Sequence, residues 1–336
     1  MAKCVALFSG GLDSMLAVRM MQEQDIEVHA LNFKTVFTCC QDDAGRAAYD
    51  LGVNLTVVSQ DDDYFQVIRK PEFGYGRGAN PCIDCRIYMF QKGKDFMRQT
   101  GADFVISGEV VGQRPKSQKR RDLDIISHHS GLEDRLLRPL SALRMPPTAP
   151  EREGIVDRSR LGSFVGRGRK GLIRLANRFG LKYVPSPSTG CQLTEPRFSR
   201  KVFDHLQHEP SNERWAFELL RYGRHFRLSS HTKAIVGRNE SDNLSLTRAF
   251  ETAPDPNSVA QLRPDGFPGP LVLVVGKIDD AGLELAASLL LRYASPSRPE
   301  RPLVEVVHGQ LATPRVAHVS PAVQDLQTIA SIPGRC

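Results

Sequence analysis

Short apolar runs alternate with amphipathic stretches through the first 130 residues of the chain. The apolar runs predict four β-strands, at residues 4–8, 26–33, 54–59 and 103–107. Between them, helical apolar periodicity predicts helices at residues 14–24, 42–51 and 84–100. Strands and helices in this alternation predict the α/β fold class, with a parallel sheet sandwiched by helices.

In a parallel sheet of this kind, ligands bind beyond the carboxyl ends of the strands. The loops that follow the predicted strands begin at Ser9, Lys34, Gln60 and Gly108. We therefore expect these four loops to share one edge of the sheet, and to hold the residues that carry chemistry.

The pattern changes after about residue 200, where a helical stretch at 203–222 predicts a connector. Beyond it, three strand-like runs and one helix predict a second, smaller α/β domain, at residues 233–237, 271–275, 303–308 and 281–293. The predicted organisation is a first domain, a helical connector and a C-terminal domain, at residues 1–202, 203–226 and 227–336.

The composition is that of a water-soluble protein, with 40% hydrophobic and 25% charged residues. No apolar run approaches the roughly 20 residues that a membrane helix needs, so we expect no membrane partner. The N-terminus enters the first strand without the leader of a secreted protein, which predicts a cytoplasmic location. Seven cysteines, an odd number, favour reduced thiols over a disulfide framework.

The net charge of +7 is concentrated in one segment of the chain. Residues 111–180 contain 16 Lys and Arg against 7 Asp and Glu, a net charge of +9, so the remainder carries −2. Two dense basic runs, at 114–121 and 166–170, are predicted to flank the ligand edge. Lys and Arg there would neutralise nucleic-acid phosphates, and the alternative is a solvated charged face.

The loop after the first strand has the features of an anion-binding turn. It reads Ser-Gly-Gly-Leu-Asp-Ser at residues 9–14 and leads directly into a helix. Gly10 and Gly11 let backbone N–H groups approach a phosphate, and the helix start adds unpaired donors. We expect Ser9 and Ser14 to donate to phosphate oxygens and Asp13 to hold Mg²⁺. The alternative is an ordinary glycine-rich turn with a capping side chain.

This hexapeptide, with Leu12 at its variable position, resembles the Ser-Gly-Gly-x-Asp-Ser signature of the PP-loop ATP pyrophosphatase superfamily. The resemblance implies an adenine nucleotide alpha hydrolase-like fold and cleavage of ATP between its α and β phosphates. AMP is left on a substrate carbonyl oxygen until a nitrogen or sulfur nucleophile displaces it. Further ATP contacts are expected from Phe33, and from Gly108 and Gln113, whose segment resembles the nucleotide loop of 4-thiouridine synthetases.

Three cysteines lie in loops of small residues. Cys82 and Cys85 form a Pro-Cys-x-x-Cys motif at a predicted helix start, where both thiols face one side of the first turn. Cys191 lies far along the chain in a Ser-x-Gly-Cys motif. Such thiols suit metal ligation or thiol exchange, and the alternative is a packing or zinc role. Core packing is expected for Cys4 and for the pair Cys39 and Cys40.

Downstream of the phosphate loop, these cysteine motifs resemble those of tRNA 2-thiouridine, 4-thiouridine and 2-thiocytidine synthetases, over about residues 3–200. The 2-thiouridine type has Asp where this chain has Cys82. Three cysteines instead resemble the 2-thiocytidine type, which implies that Cys82, Cys85 and Cys191 hold a 4Fe-4S cluster whose fourth iron carries sulfide. The alternative is a persulfide relay, in which Cys82 or Cys85 pairs with Cys191.

In the C-terminal domain, residues 233–243 resemble the RNA-binding module of NFACT proteins. Val-Gly-Arg-Asn followed by Asn recurs in that module, and it stands here at residues 236–239 and at Asn243. The resemblance implies that this domain binds RNA. The alternative is a structural domain with a β-turn at the motif.

These features predict an ATP-dependent tRNA sulfurtransferase that adenylates a uridine carbonyl oxygen and replaces it with sulfur. The predicted catalytic residues are Asp13, Cys82, Cys85 and Cys191. The expected partners are tRNA and a sulfur donor, either a persulfide derived from a cysteine desulfurase or sulfide. Two alternatives are an adenylating ligase or amidase with a nitrogen nucleophile, and a non-catalytic RNA-binding protein.

Overall fold

A computed structural model of the chain describes residues 1–37, 43–60, 62–186, 190–309 and 311–329. The chain divides into two compact units, Met1–Gln192 and Leu193–Cys336. Within the described ranges, no helix combines the length and the apolar composition that crossing a membrane requires.

The first unit contains a five-stranded sheet in which every neighbouring pair of strands is parallel. Its strands are β1 (Lys3–Leu7), β2 (Glu27–Lys34), β3 (Asn54–Ser59), β4 (Phe104–Ser107) and β5 (Leu136–Leu137). They lie in the order β3-β2-β1-β4-β5. The chain therefore adds strands on one side of β1 and then on the other, which leaves a crevice beyond the carboxyl ends of β1 and β4.

Helices cover both faces of this sheet. They are α1 (Leu12–Gln22), α2 (Asp43–Leu51), α3 (Asp63–Arg69), α4 (Cys82–Thr100), α5 (Arg120–Ser130), α6 (Ala149–Arg152) and α7 (Lys170–Arg178). Along β1, Cys4 and Ala6 pack in one core with α1, α2 and α7, while Val5 and Leu7 pack in the other with α4 and α5. A strand buried on both faces needs helices on both sides, which confirms the predicted fold class.

The four strands predicted in this region correspond to β1–β4. Helix α1 begins at Leu12, two residues before its predicted start, because extended Gly11 is its N-cap. The sequence pattern missed α5, whose eleven residues are mostly polar. It also missed β5, which is two residues long, and α3, which has seven residues. Elements this short carry too few positions for a periodicity to be recognised.

The second unit contains a six-stranded sheet in which every neighbouring pair is antiparallel. Its strands are β6 (Arg224–Ser229), β7 (Thr232–Val236), β8 (Val259–Asp265), β9 (Val272–Gly276), β10 (Leu303–His308) and β11 (Leu311–Val316), in the order β11-β10-β8-β9-β7-β6. Its helices are α8 (Pro196–His208), α9 (Arg214–Leu219), α10 (Glu240–Glu251) and α11 (Asp280–Tyr293). The predicted second domain of strands and helices is confirmed.

The two faces of this second sheet are also both covered. On β7, Ala234 and Val236 belong to the core that includes α11, whereas Ile235 belongs to the core that includes α9 and α10. The stretch expected to be a connector, 203–226, holds the end of α8, all of α9 and the start of β6.

Candidate functional site

The glycine-rich loop lies between β1 and α1, beyond the carboxyl end of β1. Gly10 has a φ of 74°, a conformation that favours glycine. The Ser14 hydroxyl donates to the Gly11 carbonyl at 2.8 Å and lies 3.4 Å from the Ser9 hydroxyl. No side chain of the described residues caps α1, so the N–H groups of its first turn are available to an anion. Leu12 is buried in the core and offers only its backbone.

The loop after β4 packs directly on this phosphate loop. A Cβ atom at Gly108 would lie 2.5 Å from the backbone of Asp13 and Ser14, so only glycine allows the approach. From the same loop, Gln113 Nε2 donates to Asp13 Oδ2 at 3.0 Å. The structure thus places Gly108 and Gln113 beside the hexapeptide. Phe33, at the end of β2, is half-buried and packs in the apolar cluster on the α4 side of the sheet.

Asp13 lies in an environment that disfavours its charge. Burial raises the pKa of Asp13, although the hydrogen bond from Gln113 and the charges of Arg169 and Arg114 act in the opposite direction. A carboxylate in such surroundings is stabilised when it binds a cation. The donor set is therefore suited to Mg²⁺ bound together with a polyphosphate.

The two basic runs converge at this same edge. Val111 and Val165 form a parallel β-bridge, and the Gly166 N–H donates to the Val111 carbonyl at 2.8 Å. As a result, the charges of Arg114 from the first run and Arg169 from the second both act to lower the pKa of Asp13.

Cys82 and Cys85 lie in the first turn of α4, as their spacing predicted. Burial raises the pKa of both thiols. At Cys82 the charges of Arg86, Arg114 and Lys116 oppose that shift. The charge of the Arg114 guanidinium thus acts to lower the pKa of Asp13 in the phosphate loop as well as that of Cys82. The first turn of α4 thus lies at the same edge of the sheet as the nucleotide loop, next to the loop that follows β4.

Tyr64 lies beside Cys85, and the charge of Cys191 also affects the pKa of Tyr64. The Tyr64 hydroxyl lies 3.2 Å from Cys85 Sγ. Burial raises the pKa of Tyr64 well above its usual value, and both Cys85 and Cys191 add to that rise. The Cys191 loop reaches this point because the Gln192 N–H donates to the Phe37 carbonyl at 3.3 Å, just after β2.

The 4Fe-4S cluster that the resemblance implied stays a prediction for these cysteines. Cys82, Cys85 and Cys191 form no disulfide. In the described ranges, no group of three His, Cys, Asp or Glu side chains is arranged as a metal site. Cys4 is buried in the core as predicted, whereas Cys39, Cys40, Cys336 and residues 187–189 lie outside the described residues.

Glu109, in the loop after β4, lies between two arginines, and no role was predicted for it from the sequence. This side chain is 3% exposed, and its Oε2 accepts from Arg138 Nε at 3.0 Å. Its Oε1 lies 3.7 Å from Nε of Arg86, which stands in the same helical turn as the thiols. Glu109 thus links the β4 loop to the start of α4. The available signal was a carboxylate placed directly after a buried strand.

In the second unit, the Val-Gly-Arg-Asn motif builds the turn from β7 into α10. Asn239 caps α10 by accepting from the Asp242 N–H at 2.9 Å, and Arg238 pairs with Asp242. The Asn243 side chain accepts from the Leu271 N–H at 3.1 Å and occupies the space that a Cβ on Gly237 would fill. These motif residues therefore shape the backbone of the domain.

Two family matches cover most of the chain. Residues 2–130 match the family described as tRNA methyl transferase HUP domain, and residues 223–327 match the NFACT protein RNA binding domain. With the relatives given next, these matches confirm the predicted resemblance to the thiouridylase branch of the PP-loop superfamily and to the NFACT module.

Curated relatives include the tRNA-specific 2-thiouridylase MnmA of Petrotoga mobilis, 31% identical over 32% of this chain and 35% of that protein. MnmA of Pelotomaculum thermopropionicum is 31% identical over 36% of this chain and 40% of that protein. The matched region thus spans well under half of these relatives. Among solved structures, a 4-thiouridine synthetase in complex with RNA and ATP is 19% identical, with a TM-score of 0.36, over 64% of this chain and 53% of that one.

Proposed function

We propose that this chain, a PP-loop protein of the thiouridylase branch, is an ATP-dependent tRNA sulfurtransferase that converts a uridine into a thiouridine. The observation that carries the proposal is the loop after β4. In this loop Gly108 packs on the backbone of Asp13, and Glu109 Oε1 lies 3.7 Å from Nε of Arg86, the residue after Cys85. The charge of Arg114, from the same loop, opposes the rise in pKa of both Asp13 and Cys82. A nucleotide loop and a pair of thiols therefore share one electrostatic environment. That arrangement suits a reaction in which ATP activates a substrate and sulfur then attacks it.

ATP is needed because oxide is a very poor leaving group and AMP is a good one. The uridine carbonyl oxygen attacks the α-phosphate, pyrophosphate leaves, and the uridine carbon is then bonded to an AMP-bearing oxygen. Backbone N–H groups at residues 9–14 would bind the phosphates, with Ser9 and Ser14 as further donors, and Asp13 would hold Mg²⁺. Mg²⁺ would neutralise the charge that develops on the departing pyrophosphate.

Sulfur delivery in this proposal uses Cys85 and Cys191. Tyr64 contacts Cys85, and the residue after Cys191 is hydrogen-bonded to Phe37, whose ring packs with Tyr64. One thiol carries an additional sulfur as a persulfide, derived from a cysteine desulfurase. The outer sulfur bonds to the uridine carbon as AMP leaves. The second thiol then attacks the sulfur of the first, which releases thiouridine and leaves a Cys85–Cys191 disulfide. A dithiol reductant restores both thiols.

The proposed substrate is tRNA, which also places the activity in the cytoplasm. The converging basic runs at 114–121 and 166–170 supply cations for its phosphates. The NFACT-type domain at 223–327 is the proposed second RNA contact.

The test combines nucleoside analysis with cysteine variants. Mass spectrometry of tRNA nucleosides from a deletion strain should show that a thiolated uridine is lost. In vitro, Cys85→Ser and Cys191→Ser should reduce thiouridine formation roughly 100-fold or more while pyrophosphate release continues. Cys82→Ser is the matched control, and it should retain a substantial part of the activity.

Iron and sulfide analysis after anaerobic purification separates the two forms of sulfur delivery. The relay predicts no stoichiometric iron. Four irons per chain, together with equal loss of activity in all three cysteine variants, would replace the relay by the cluster. An unchanged nucleoside profile with nitrogen-dependent release of AMP would instead identify a ligase or amidase.

A further inference from the structure

We infer that Tyr64 is a positioning residue of the thiol pair, whose hydroxyl holds the Cys85 sulfur for exchange with Cys191. The role of Tyr64 in sulfur transfer rests on the proposed function, whereas its contacts with Cys85 and the aromatic cluster are observed within the first unit. Neither its sequence position nor the family resemblance assigned it a role.

Tyr64 is buried in an aromatic cluster. Its side chain is 2% exposed, and its ring centroid lies 5.2 Å from that of Tyr88, 6.1 Å from Phe65 and 6.4 Å from Phe37. A buried phenol needs a polar partner for its hydroxyl. Cys85 Sγ lies 3.2 Å away, which is hydrogen-bonding distance for sulfur. The cluster therefore fixes the ring while the hydroxyl reaches the thiol.

The helix that carries Tyr64 is fastened to the helix that carries Cys85. The Tyr88 hydroxyl of α4 donates to Asp63 Oδ1 at 2.7 Å, and Lys92 Nζ of α4 lies 3.2 Å from Asp63 Oδ2. Asp63 is the residue before Tyr64 and the first residue of α3. The position of the Tyr64 hydroxyl relative to Cys85 is thus set by contacts that do not involve the thiol.

The residue after Cys191 is joined to the same aromatic cluster from a different part of the chain. The hydrogen bond from Gln192 N–H to the carbonyl of Phe37 connects the Cys191 loop to a residue whose ring packs with Tyr64. Thiol exchange requires that the two sulfur atoms be aligned. Because the Tyr64 hydroxyl lies at hydrogen-bonding distance from Cys85 Sγ, it fixes the orientation of the Cys85 side chain.

The test compares Tyr64→Phe with Tyr49→Phe. Each variant loses one phenol hydroxyl and keeps its ring, but Tyr64 contacts a thiol, whereas Tyr49 is exposed on α2. The purified full chain is treated with diamide, an azo oxidant that accepts two electrons and two protons as two thiols become a disulfide. Peptide mapping follows the Cys85–Cys191 bond over time. We expect wild type and Tyr49→Phe to close it at similar rates and Tyr64→Phe to close it about 10-fold more slowly.

A second readout uses the proposed reaction. Tyr64→Phe should lower the amount of thiouridine formed per pyrophosphate released, with unchanged KM for ATP. Equal diamide rates in Tyr64→Phe and wild type would overturn the inference, as would preferential closure of Cys82 with Cys85 in wild type. If the diamide difference is found but no variant or wild type forms thiouridine, the proposed function fails and the role of Tyr64 at the thiols remains.

Discussion

Asp13 in the first unit and Glu209 in the second are both partly buried carboxylates, yet their surroundings shift their pKa values in opposite directions. Burial raises the pKa of Asp13, and Gln113 and two arginines do not fully offset it. Burial also acts to raise the pKa of Glu209, but Lys233 and His205 outweigh it and hold that pKa well below its usual range. A carboxylate whose burial is not offset by neighbouring charges indicates a ligand-binding site. A carboxylate that is fully paired with cations indicates a structural role.

The same contrast extends to the charges around each carboxylate. In the second unit, Lys233 is 1% exposed and its Nζ lies 2.8 Å from Glu209 Oε2, while Arg227 pairs with Asp204 and Glu209. These ion pairs fasten the α8 region to β6 and β7. By sequence, Met1–Gln192 has a net charge of +6 and Leu193–Cys336 a net charge of +1. The cations that can meet RNA phosphates are thus concentrated in the first unit.

The largest expected effect is that of removing the carboxylate of Asp13. Asp13→Asn should reduce ATP-dependent pyrophosphate release by roughly 100-fold or more, because Mg²⁺ and the phosphates lose a charged ligand. Asp95→Asn, on the exposed side of α4, is the control and should retain full activity. If Asp13→Asn released pyrophosphate at the wild-type rate, Asp13 would not be a ligand of Mg²⁺ or of the phosphates in this reaction.

Removing a cation from the buried network should destabilise the second unit without touching the site. Lys233→Met leaves Glu209 without its closest cation and should lower the free energy of unfolding by about 3 kcal/mol. Lys277→Met breaks an exposed pair with Asp279 and should cost about 0.5 kcal/mol or less. Trp215 is the only tryptophan of the chain, so its fluorescence during urea unfolding reports on the second unit. If both variants lowered the free energy of unfolding equally, the buried ion pairs would not have the stabilising role proposed for them.

The two carboxylates should also differ in how stability depends on pH. Because the folded pKa of Glu209 lies below its ordinary value of 4.5, the unfolded chain binds more protons in acid, and the contribution of Glu209 is present above about pH 5 and lost as the pH falls further. The stability difference between wild type and Glu209→Gln should shrink over that range. At neutral pH, Asp13→Asn should instead stabilise the first unit slightly, since the raised pKa of Asp13 marks a charge that folding disfavours. Differences of the same sign for both variants would refute this interpretation.

The smallest expected effect concerns the affinity for tRNA. Lys116→Gln, in the first basic run, should weaken binding a few-fold and make the slope of log K against log salt less steep by about 0.7–0.9, the change for one phosphate contact. Arg301→Gln, an exposed cation of the second unit, is the matched control and should change the slope less. A larger change of slope for Arg301→Gln than for Lys116→Gln would indicate that the NFACT-type domain makes the main RNA contact.

Much of the first unit could be predicted from local sequence. Strands β1–β4, the phosphate loop and the Cys-x-x-Cys turn are each specified within a few neighbouring residues, by apolar periodicity, by adjacent glycines and by thiols three positions apart. The alternation of strands and helices also predicted that the loops after β1 and β4 share one edge. Asp13 was recognised from the hexapeptide, and Gly108 and Gln113 from the likeness of their segment to the nucleotide loop of 4-thiouridine synthetases.

Only the tertiary structure decided which of these residues meet. Gly108 packs on the backbone of Asp13, Tyr64 contacts Cys85 and is influenced by Cys191, and Glu209 pairs with Lys233, each across a long stretch of sequence. Such contacts depend on the packing of whole helices and strands, and a sequence pattern records only the period of each element. The sequence by itself therefore determined the elements and the candidate chemistry. The fold determined that Cys85 lies against the buried hydroxyl of Tyr64, and that ion pairs in the second unit join the α8 region to β6 and β7.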